Sequence, residues 1–341
     1  MNPIFFAYPT KESASFILHR LKENLPLFPI SPKQLSLPEI DLPSSGVVIS
    51  TSGSLGKPKR AHLTYDNLFA SFSFSHPDLR LTPLDYYLLS VPLYHISGLS
   101  ILTRCHFSGA KLVFPESQDD SKVTHISFVP TQLKRFLENP KKYPKLKAIL
   151  VGGAPIPYAL CNEAYKKGFP IYITYGMTEM SSQIATEKFC PKKGIAFGLP
   201  LPERNLKIVK GEIYVRGKTL FKGYIDLPSP FIDGWFPTKD LGKIGPNGLE
   251  ILGRKDSMFI SGGENIHPEE IQLALLSHPK IERAKVSSRL DDEFGARPVA
   301  TIQTVLQKEE IREYLQSTLP KFKIPSPNDI TLNPIDYNWT K

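Results

Sequence analysis

The sequence predicts an α/β protein with a large N-terminal domain, which ends in a β-rich subdomain, and a small C-terminal α+β domain. Its 341 residues suit one large and one small domain. Short apolar strand patterns alternate with helical patterns between residues 111 and 174, as in a largely parallel sheet. After residue 256 the order of strand and helix patterns suits a separate domain, so we expect a boundary near residues 254–256.

The balance of charge points to anionic partners. The chain carries 42 Lys+Arg against 33 Asp+Glu, a formal net charge of +9. The lysines are spread along the sequence and form no basic block. This distribution favours an anionic small molecule over a nucleic acid.

Cysteine usage and hydropathy predict the compartment. Cys105, Cys161 and Cys190 lack the spacing of a disulfide framework or a zinc site, which indicates a reducing environment. We find no signal-peptide pattern at the start and no apolar run of about 18 residues. We expect a cytoplasmic protein without stable membrane insertion, and the sequence does not predict its oligomeric state.

The first residues predict a docked helix followed by an extended connector. Apolar side chains recur on one face of residues 11–24, as in an amphipathic helix. Prolines then crowd residues 26–43, to which we assign no chemistry. The β-branched run at residues 46–49 predicts a short buried strand.

That strand leads into a polar loop, residues 50–59, with the chemistry of a polyphosphate site. Glycines let backbone N–H groups approach phosphate oxygens, hydroxyls donate to them, and lysines offset their charge. An ordinary surface loop is the alternative. The P-loop of NTPases is excluded, because only two residues separate the glycines and Pro58 follows Lys57.

The next helix is predicted to begin after Thr64, its N-cap. Residues 86–91 predict a buried strand, which runs into His95 and a turn that contains glycine. A histidine at a strand end can line a pocket, although a lone histidine is more often structural. Arg104 lies near the end of the following apolar helix, as either a partner of the helix dipole or a clamp for a carboxylate.

A later strand, at residues 148–151, ends in Gly152, Gly153 and Ala154. Glycines at the carboxyl end of a sheet strand are where ligands bind in open α/β folds. We therefore expect a binding loop here.

The strand at residues 171–174 is predicted to end in a second polar loop. Tyr175 can stack on a base, Thr178 can donate to phosphate, and Glu179 can hold Mg²⁺ against that phosphate. A turn in which Thr178 caps a helix is the alternative, and both interpretations can hold at once.

The β-rich subdomain is predicted from the alternation at residues 211–217 and continues to residue 242. Within it, Asp240 can accept hydrogen bonds from ribose hydroxyls or serve as a turn aspartate. Pro268, followed by two glutamates, marks the start of a helix in the C-terminal domain.

Six stretches, in order and over most of the chain, resemble the adenylate-forming (AMP-binding) superfamily of acyl-CoA synthetases. They are residues 50–59, 94–98, 152–154, 175–179, 235–240 and 253–270. Within that superfamily, residues 92–102 and 261–271 are most similar to the o-succinylbenzoate:CoA ligases of menaquinone biosynthesis. The resemblance implies the adenylate-forming fold, with an acyl-adenylate made from ATP and a carboxylic acid and then a thioester made with CoA.

The resemblance also implies roles for residues. Those that would bind ATP are Thr51, Ser52, Gly53, Ser54, Gly56, Lys57, Gly153, Ala154, Tyr175, Gly176, Met177, Thr178, Asp240 and Arg254. Thr51 and Glu179 would hold Mg²⁺. The acid pocket would contain His95, Ser97, Gly98 and Arg104, with Arg104 on the second carboxylate of o-succinylbenzoate. The catalytic residues would be Lys341, Glu179 and His95.

The domain organisation follows from the same resemblance. Residues 1–253 would form the AMP-binding domain, and residues 257–341 would form a small mobile domain. Asp256 matches the hinge position, within residues 254–256.

Three features depart from the family pattern. Lys341 matches the adenylation lysine by its spacing of sixteen residues from Pro325, but residues 336–340 lack the proline, arginine and glycine of the family. Lys239 stands where the family has glycine. Relatives carry about a hundred more residues before the phosphate loop, which predicts a shortened N-terminal subdomain here.

Two alternatives to an o-succinylbenzoate ligase stay open. One is a synthetase for another aryl or fatty acid. The other is a nucleotide-binding pseudoenzyme or interaction protein that keeps the ATP site without catalysis. The sequence does not distinguish CoA from a carrier-protein thiol as the acceptor.

Overall fold

The structure is a computed structural model that describes residues 3–34, 36–51, 58–116 and 120–334. The α-helices of this part are α1 (Lys11–Lys22), α2 (Tyr65–Ser73), α3 (Ile96–Ser108), α4 (Pro130–Glu138), α5 (Tyr158–Lys166), α6 (Pro268–Leu276) and α7 (Lys308–Gln316). The strands are β1 (Ile4–Phe6), β2 (Phe28–Ile30), β3 (Val47–Thr51), β4 (Lys59–Leu63), β5 (Tyr86–Leu88), β6 (Lys111–Val113), β7 (His125–Phe128), β8 (Ala148–Val151), β9 (Ile171–Met177), β10 (Ser182–Lys188), β11 (Arg204–Val209), β12 (Glu212–Gly217), β13 (Gly223–Tyr224), β14 (Phe236–Gly245), β15 (Gly248–Arg254), β16 (Phe259–Ser261), β17 (Glu264–Ile266), β18 (Ile281–Asp291), β19 (Gly295–Thr304) and β20 (Ile330–Asn333).

The central sheet has six strands in the order β10-β9-β8-β7-β5-β6. The pairs from β9 to β6 are parallel, and β10 is antiparallel to β9 at one edge. This arrangement confirms the predicted α/β fold. Because the carboxyl ends of parallel strands lie at one edge of a sheet, the loops after β5, β7, β8 and β9 lie along the same edge.

Smaller sheets complete the fold. Strands β3, β4 and β13 form one antiparallel sheet. Strands β11, β12, β14 and β15 form another, which is the predicted β-rich part. Near the C-terminus β19 pairs with β18 on one side and with β20 on the other.

Two strands extend beyond their predicted ends, because an unpredicted antiparallel partner supplies their hydrogen bonds. Strand β9 continues to Met177, since β10 folds back and pairs with it. Strand β3 continues to Thr51 because it pairs with β4, so Lys59 and Arg60 lie on a strand and not in the polar loop. By contrast, β5 ends at Leu88, although residues 86–91 predict a longer strand.

The helix ends follow from local hydrogen bonds. At the start of α2, Thr64 accepts a hydrogen bond from the Asn67 backbone, and the Asn67 side chain accepts one from the Thr64 backbone. Gly109 ends α3 with φ 74°, a left-handed conformation that glycine adopts without steric cost. Pro268 begins α6, as predicted.

The buried apolar side chains form two main clusters. The larger runs from Ala7 to Leu249 and packs around the central sheet. The second contains residues between Ile266 and Ile330, from α6, α7 and the C-terminal sheet. Within the described ranges, no helix is both long and apolar enough to cross a membrane.

Candidate active site

The candidate site lies at the carboxyl edge of the central sheet. The loop after β8 contains Gly153 and Ala154, which are both exposed. Strand β9 ends at Met177, and a single 3-10 turn, Thr178–Met180, follows it. The fold therefore brings together residues that are far apart in the sequence.

The strand that follows the predicted phosphate loop, β4, lies beside the turn that contains Glu179. Thr51 donates its hydroxyl hydrogen to the carbonyl of Lys59 across the β3–β4 pair, at 3.4 Å. The ammonium of Lys59 lies 5.1 Å from the centre of the Tyr224 ring, and the Tyr224 hydroxyl donates to Glu179 Oε1 at 2.6 Å. Ser52, Gly53, Ser54, Gly56 and Lys57 lie outside the described residues.

Tyr175 and Asp240 form a buried pair. The Tyr175 hydroxyl donates to Asp240 Oδ2 at 2.6 Å, and Arg254 Nη1 donates to Asp240 Oδ1 at 3.0 Å. Burial, followed by the charge of Asp240, raises the pKa of Tyr175. Burial also raises the pKa of Asp240, against the opposing effects of Tyr175 and Arg254. The candidate adenine and ribose residues are thus in direct contact.

Arg254 extends this network to the predicted hinge. Its Nε and Nη2 donate to the two oxygens of Asp256 at 2.9 and 3.0 Å. Although burial lowers the pKa of Arg254, the bonds to Asp256 and the charge of Asp240 raise it overall. One guanidinium therefore links the ribose candidate to Asp256.

The backbone of Lys239 explains why a glycine suits this position. Lys239 has φ 64°, in the left-handed region, where a residue with a Cβ costs about 1 kcal/mol or more. Its ammonium lies 3.8 Å from Asp256 and is half exposed, so this ion pair contributes little.

Replacing Lys239 with glycine is expected to raise the free energy of unfolding by about 0.5–1 kcal/mol, because it removes the left-handed strain. Urea denaturation measures this change. Lys243→Gly is the matched control, because Lys243 lies on the same strand without positive φ and should lose stability as glycine. Equal losses in both variants would contradict strain at Lys239.

Two site glycines are required by backbone packing. A Cβ on Gly176 would lie 1.9 Å from the carbonyl oxygen of Ser182, on the returning strand β10. A Cβ on Gly98 would lie 2.1 Å from the carbonyl oxygen of Pro92. Gly98 is buried, so its close packing accounts for the glycine without a ligand.

His95 is exposed and is the N-cap residue of α3, without a capping hydrogen bond from its side chain. Its ring lies 4.6 Å from that of Tyr94. Ser97, in the first turn, accepts a hydrogen bond from Ser100 through its backbone carbonyl. His95 and Ser97 therefore lie at the end of α3 that follows β5. This end is at the same edge of the central sheet as the loop that contains Gly153 and Ala154.

Arg104 is buried inside the protein, at 5% exposure, on the same helix. Its Nη2 donates to Gln183 Oε1 at 2.5 Å, and its buried Nε has no hydrogen-bond partner. Burial lowers the pKa of Arg104, while the neighbouring Tyr87 opposes this change. Gln183 pairs with Gly176 across β9 and β10, so Arg104 contacts the strand next to the end of β9 that contains Tyr175.

No carboxylate among the described residues forms an ion pair with Arg104. A buried cation without a counter-ion is costly, because desolvation is not offset. The dipole-partner interpretation also fails, since the guanidinium contacts Gln183 and not the last carbonyls of α3. The arrangement suits the binding of an anion.

Sequence reasoning missed Tyr224 and gave no role to Gln183. Tyr224 lies on β13, a strand of two residues with no periodic pattern, and reaches Glu179 only through the fold. Gln183 is a neutral residue on a strand that turns back after the 3-10 turn. The residues around it are mixed in polarity, so no local pattern singles it out. Lys341 lies outside the described residues.

Within the described residues, the site offers few side-chain ligands to a cation. No group of three or more His, Cys, Asp or Glu side chains suited to a metal occurs in the described part of the chain. Glu179 and Thr51 are oxygen donors, which Mg²⁺ prefers, and Mg²⁺ takes its other ligands from phosphate and water. These residues therefore fit a magnesium ion that arrives with a nucleotide.

A family model described as AMP-binding enzyme matches residues 18–225. The 2-succinylbenzoate–CoA ligase of Salmonella typhimurium is 37% identical over 285 residues, covering 81% of this chain and 62% of that protein. The enzyme of the same name from Bacillus subtilis is 36% identical over 318 residues, covering 84% of this chain and 65% of that protein. This chain thus spans less than two thirds of these relatives.

Solved structures agree with the sequence matches. The o-succinylbenzoate CoA synthetase of Bacillus subtilis in complex with the acyl-adenylate intermediate OSB-AMP has a TM-score of 0.75 and 32% identity. The match covers 95% of this chain and 72% of that one. The same enzyme with ATP and magnesium ion has a TM-score of 0.76 and 32% identity, covering 95% and 74%. The chain belongs to the AMP-binding enzyme family and has the adenylate-forming fold that its sequence motifs predicted.

Proposed function

We propose that this protein is an ATP-dependent acid:CoA ligase that converts o-succinylbenzoate to its CoA thioester. The observation that carries this proposal is the buried guanidinium of Arg104, which has no carboxylate partner among the described residues. A second carboxylate on the acid would supply the missing counter-ion. Bacterial relatives named 2-succinylbenzoate–CoA ligase support the same acid.

The nucleotide would bind at the carboxyl edge of the sheet. Tyr175 would stack on adenine beside Gly153, Ala154 and Gly176, and Asp240 and Arg254 would bind the ribose. The side chains proposed for adenine and for ribose are already fixed relative to each other, because Asp240 accepts hydrogen bonds from Tyr175 and Arg254. The Bacillus subtilis relative solved with ATP and magnesium ion supports this ligand.

The phosphates would lie between the polar loop and the end of β9. Residues 51–57 would donate to phosphate oxygens, with Met177 and Thr178 on the opposite side. Thr51 and Glu179 would hold Mg²⁺, which neutralises phosphate charge when bound. Tyr224 orients the Glu179 carboxylate through its bond to Oε1.

The first half-reaction follows from these positions. A carboxylate oxygen of the acid attacks the α-phosphorus of ATP, an O–P bond forms, and the bond to the β-phosphate bridge breaks to release pyrophosphate. The attack adds charge at the phosphate, which cations and N–H donors stabilise. Lys341 stays the predicted adenylation lysine, and His95, Ser97 and Gly98 stay the predicted wall of the acid pocket.

In the second half-reaction the sulfur of CoA attacks the acyl carbon. A C–S bond forms, the C–O bond to AMP breaks, and the thiol proton is released to solvent. We propose residues 1–253 and 257–341 as the two domains and Asp256 as the hinge between them. Two observations support this division. The buried apolar residues form two separate clusters, and the Arg254–Asp256 contact lies in the stretch of sequence between them.

The decisive experiment measures pyrophosphate release that depends on an added carboxylic acid, with ATP and Mg²⁺. The acids are o-succinylbenzoate, benzoate and a fatty acid, each with the wild type and with Lys341→Ala. We expect turnover with o-succinylbenzoate and its loss in the variant. Turnover with the fatty acid and with neither of the other acids would favour a fatty acyl-CoA synthetase.

A parallel melting experiment separates a ligase from a pseudoenzyme. ATP that binds the folded state raises the melting temperature whether or not catalysis follows. A shift with ATP, combined with no pyrophosphate release for any acid, would overturn the ligase proposal. It would leave a nucleotide-binding protein.

A further inference from the structure

We propose that Gln183 is a positioning residue that holds Arg104 through a neutral oxygen and thereby makes the acid pocket selective for dianionic acids. The inference rests on the proposed function, because it assumes that Arg104 faces the second carboxylate. It adds a residue that does not touch the substrate and acts through Arg104.

The contact between the two side chains is fully buried. Arg104 Nη2 donates to Gln183 Oε1 at 2.5 Å, and Gln183 is 1% exposed. An amide oxygen accepts this hydrogen bond without carrying a charge. The guanidinium is oriented while its positive charge stays uncompensated.

Neighbouring hydroxyls fix which end of the Gln183 amide faces Arg104. Thr174 donates its single hydroxyl hydrogen to the carbonyl of Ala185, at 3.1 Å. In the 2.8 Å bond between Thr174 and Thr186, the donor must then be Thr186. With its hydrogen used, the Thr186 hydroxyl can only accept, and it accepts from Gln183 Nε2 at 2.8 Å. The amide nitrogen therefore faces the threonines, and the oxygen faces Arg104.

A second buried arginine is attached to the same glutamine. Arg204 Nε donates to the backbone carbonyl of Gln183 at 2.6 Å. Its Nη1 donates to the carbonyls of Phe74 and Pro202. Burial, followed by the nearby Arg104, lowers the pKa of Arg204 to about 9. Neither arginine pairs with a carboxylate among the described residues, so this region carries an excess of positive charge.

This arrangement has a chemical consequence for selectivity. A glutamate at position 183 would have nearly the same shape but would form a buried ion pair with Arg104. The ion pair would cancel the charge, and the second carboxylate of the acid would meet a negative neighbour. A glutamine is therefore required for an acid with two carboxylates, whereas an acid with one does not depend on it.

The test compares kcat/KM for o-succinylbenzoate with that for the analogue that keeps the reacting carboxylate and lacks the other one. In the wild type we expect a preference for the dicarboxylate. In Gln183→Glu we expect the ratio of the two values to fall about 100-fold, through KM for the dicarboxylate. Gln303→Glu is the matched control, because it adds a carboxylate at another buried strand position and should leave the ratio unchanged.

A neutral variant keeps the test informative if Gln183→Glu does not fold. Gln183→Met keeps the approximate shape and removes the acceptor, so KM for the dicarboxylate should rise about 10-fold while the analogue is unaffected. If the wild type prefers the dicarboxylate and the folded Gln183 variants have the same ratio of kcat/KM values, the role of Gln183 is overturned. The proposed function would then still stand. A wild type that releases pyrophosphate without preferring the dicarboxylate would overturn the proposed acid, and this inference with it.

Discussion

Replacing Arg104 with methionine is expected to lower kcat/KM for o-succinylbenzoate by about 100- to 1,000-fold. Truncating one partner of a buried charge pair costs about 3–4 kcal/mol, and each 1.4 kcal/mol is roughly a factor of ten. Methionine fills a similar volume, and it removes a cation that has no counter-ion among the described residues. Pyrophosphate release at varied acid concentration measures the change.

Two comparisons separate a lost contact from a lost fold. ATP should still raise the melting temperature of Arg104→Met, because the residues proposed to bind the nucleotide are unchanged. Arg80→Met is the matched control, since Arg80 is exposed, and its kinetics should equal those of the wild type. If Arg104→Met retains wild-type kcat/KM for o-succinylbenzoate, the cation does not bind the acid.

The sequence predicted the parts of this fold that depend on local chemistry. The apolar runs that became β8 and β9, the N-cap residue Thr64 and the first helical residue Pro268 follow from side chains close in the chain. The motif that contains Tyr175 and Glu179 was found for the same reason, because its aromatic, hydroxyl and carboxylate groups lie close together at residues 175–179. The structure then brings them together with Asp240 and Arg254.

The parts that were missed depend on contacts between distant segments. Strand β10 was not predicted, because its pairing with β9 requires a tight reversal in which Ser181 and Ser182 both adopt positive φ. That reversal is also what places Gln183 beside Arg104, 79 residues away. Tyr224 reaches Glu179 in the same way, through pairing of β13 with β4. Side chains of this kind have no sequence pattern of their own.

Replacing Glu179 with glutamine is expected to lower kcat for pyrophosphate release by about 100-fold and to raise the Mg²⁺ concentration for half-maximal activity about 10-fold. The amide is a neutral and weaker ligand for Mg²⁺ than the carboxylate, so the phosphate charge is less well neutralised. Glutamine still offers an oxygen to the Tyr224 hydroxyl, which donates to Glu179 Oε1 at 2.6 Å, so the local fold should be kept. Pyrophosphate release over a Mg²⁺ titration measures both changes.

The control for this variant is Glu187→Gln on strand β10. Glu187 forms an exposed ion pair with Lys193, so its loss should leave the Mg²⁺ titration unchanged. Tyr224→Phe should give an intermediate loss, because Glu179 keeps its charge but loses the bond that orients it. A Mg²⁺ dependence of Glu179→Gln that equals the wild type would contradict the assignment of the metal to Glu179. The Tyr224 bond engages one oxygen of the Glu179 carboxylate, so a bound Mg²⁺ would take the other. A loss of activity that is larger in Glu179→Gln than in Tyr224→Phe, with none in Glu187→Gln, would support that assignment.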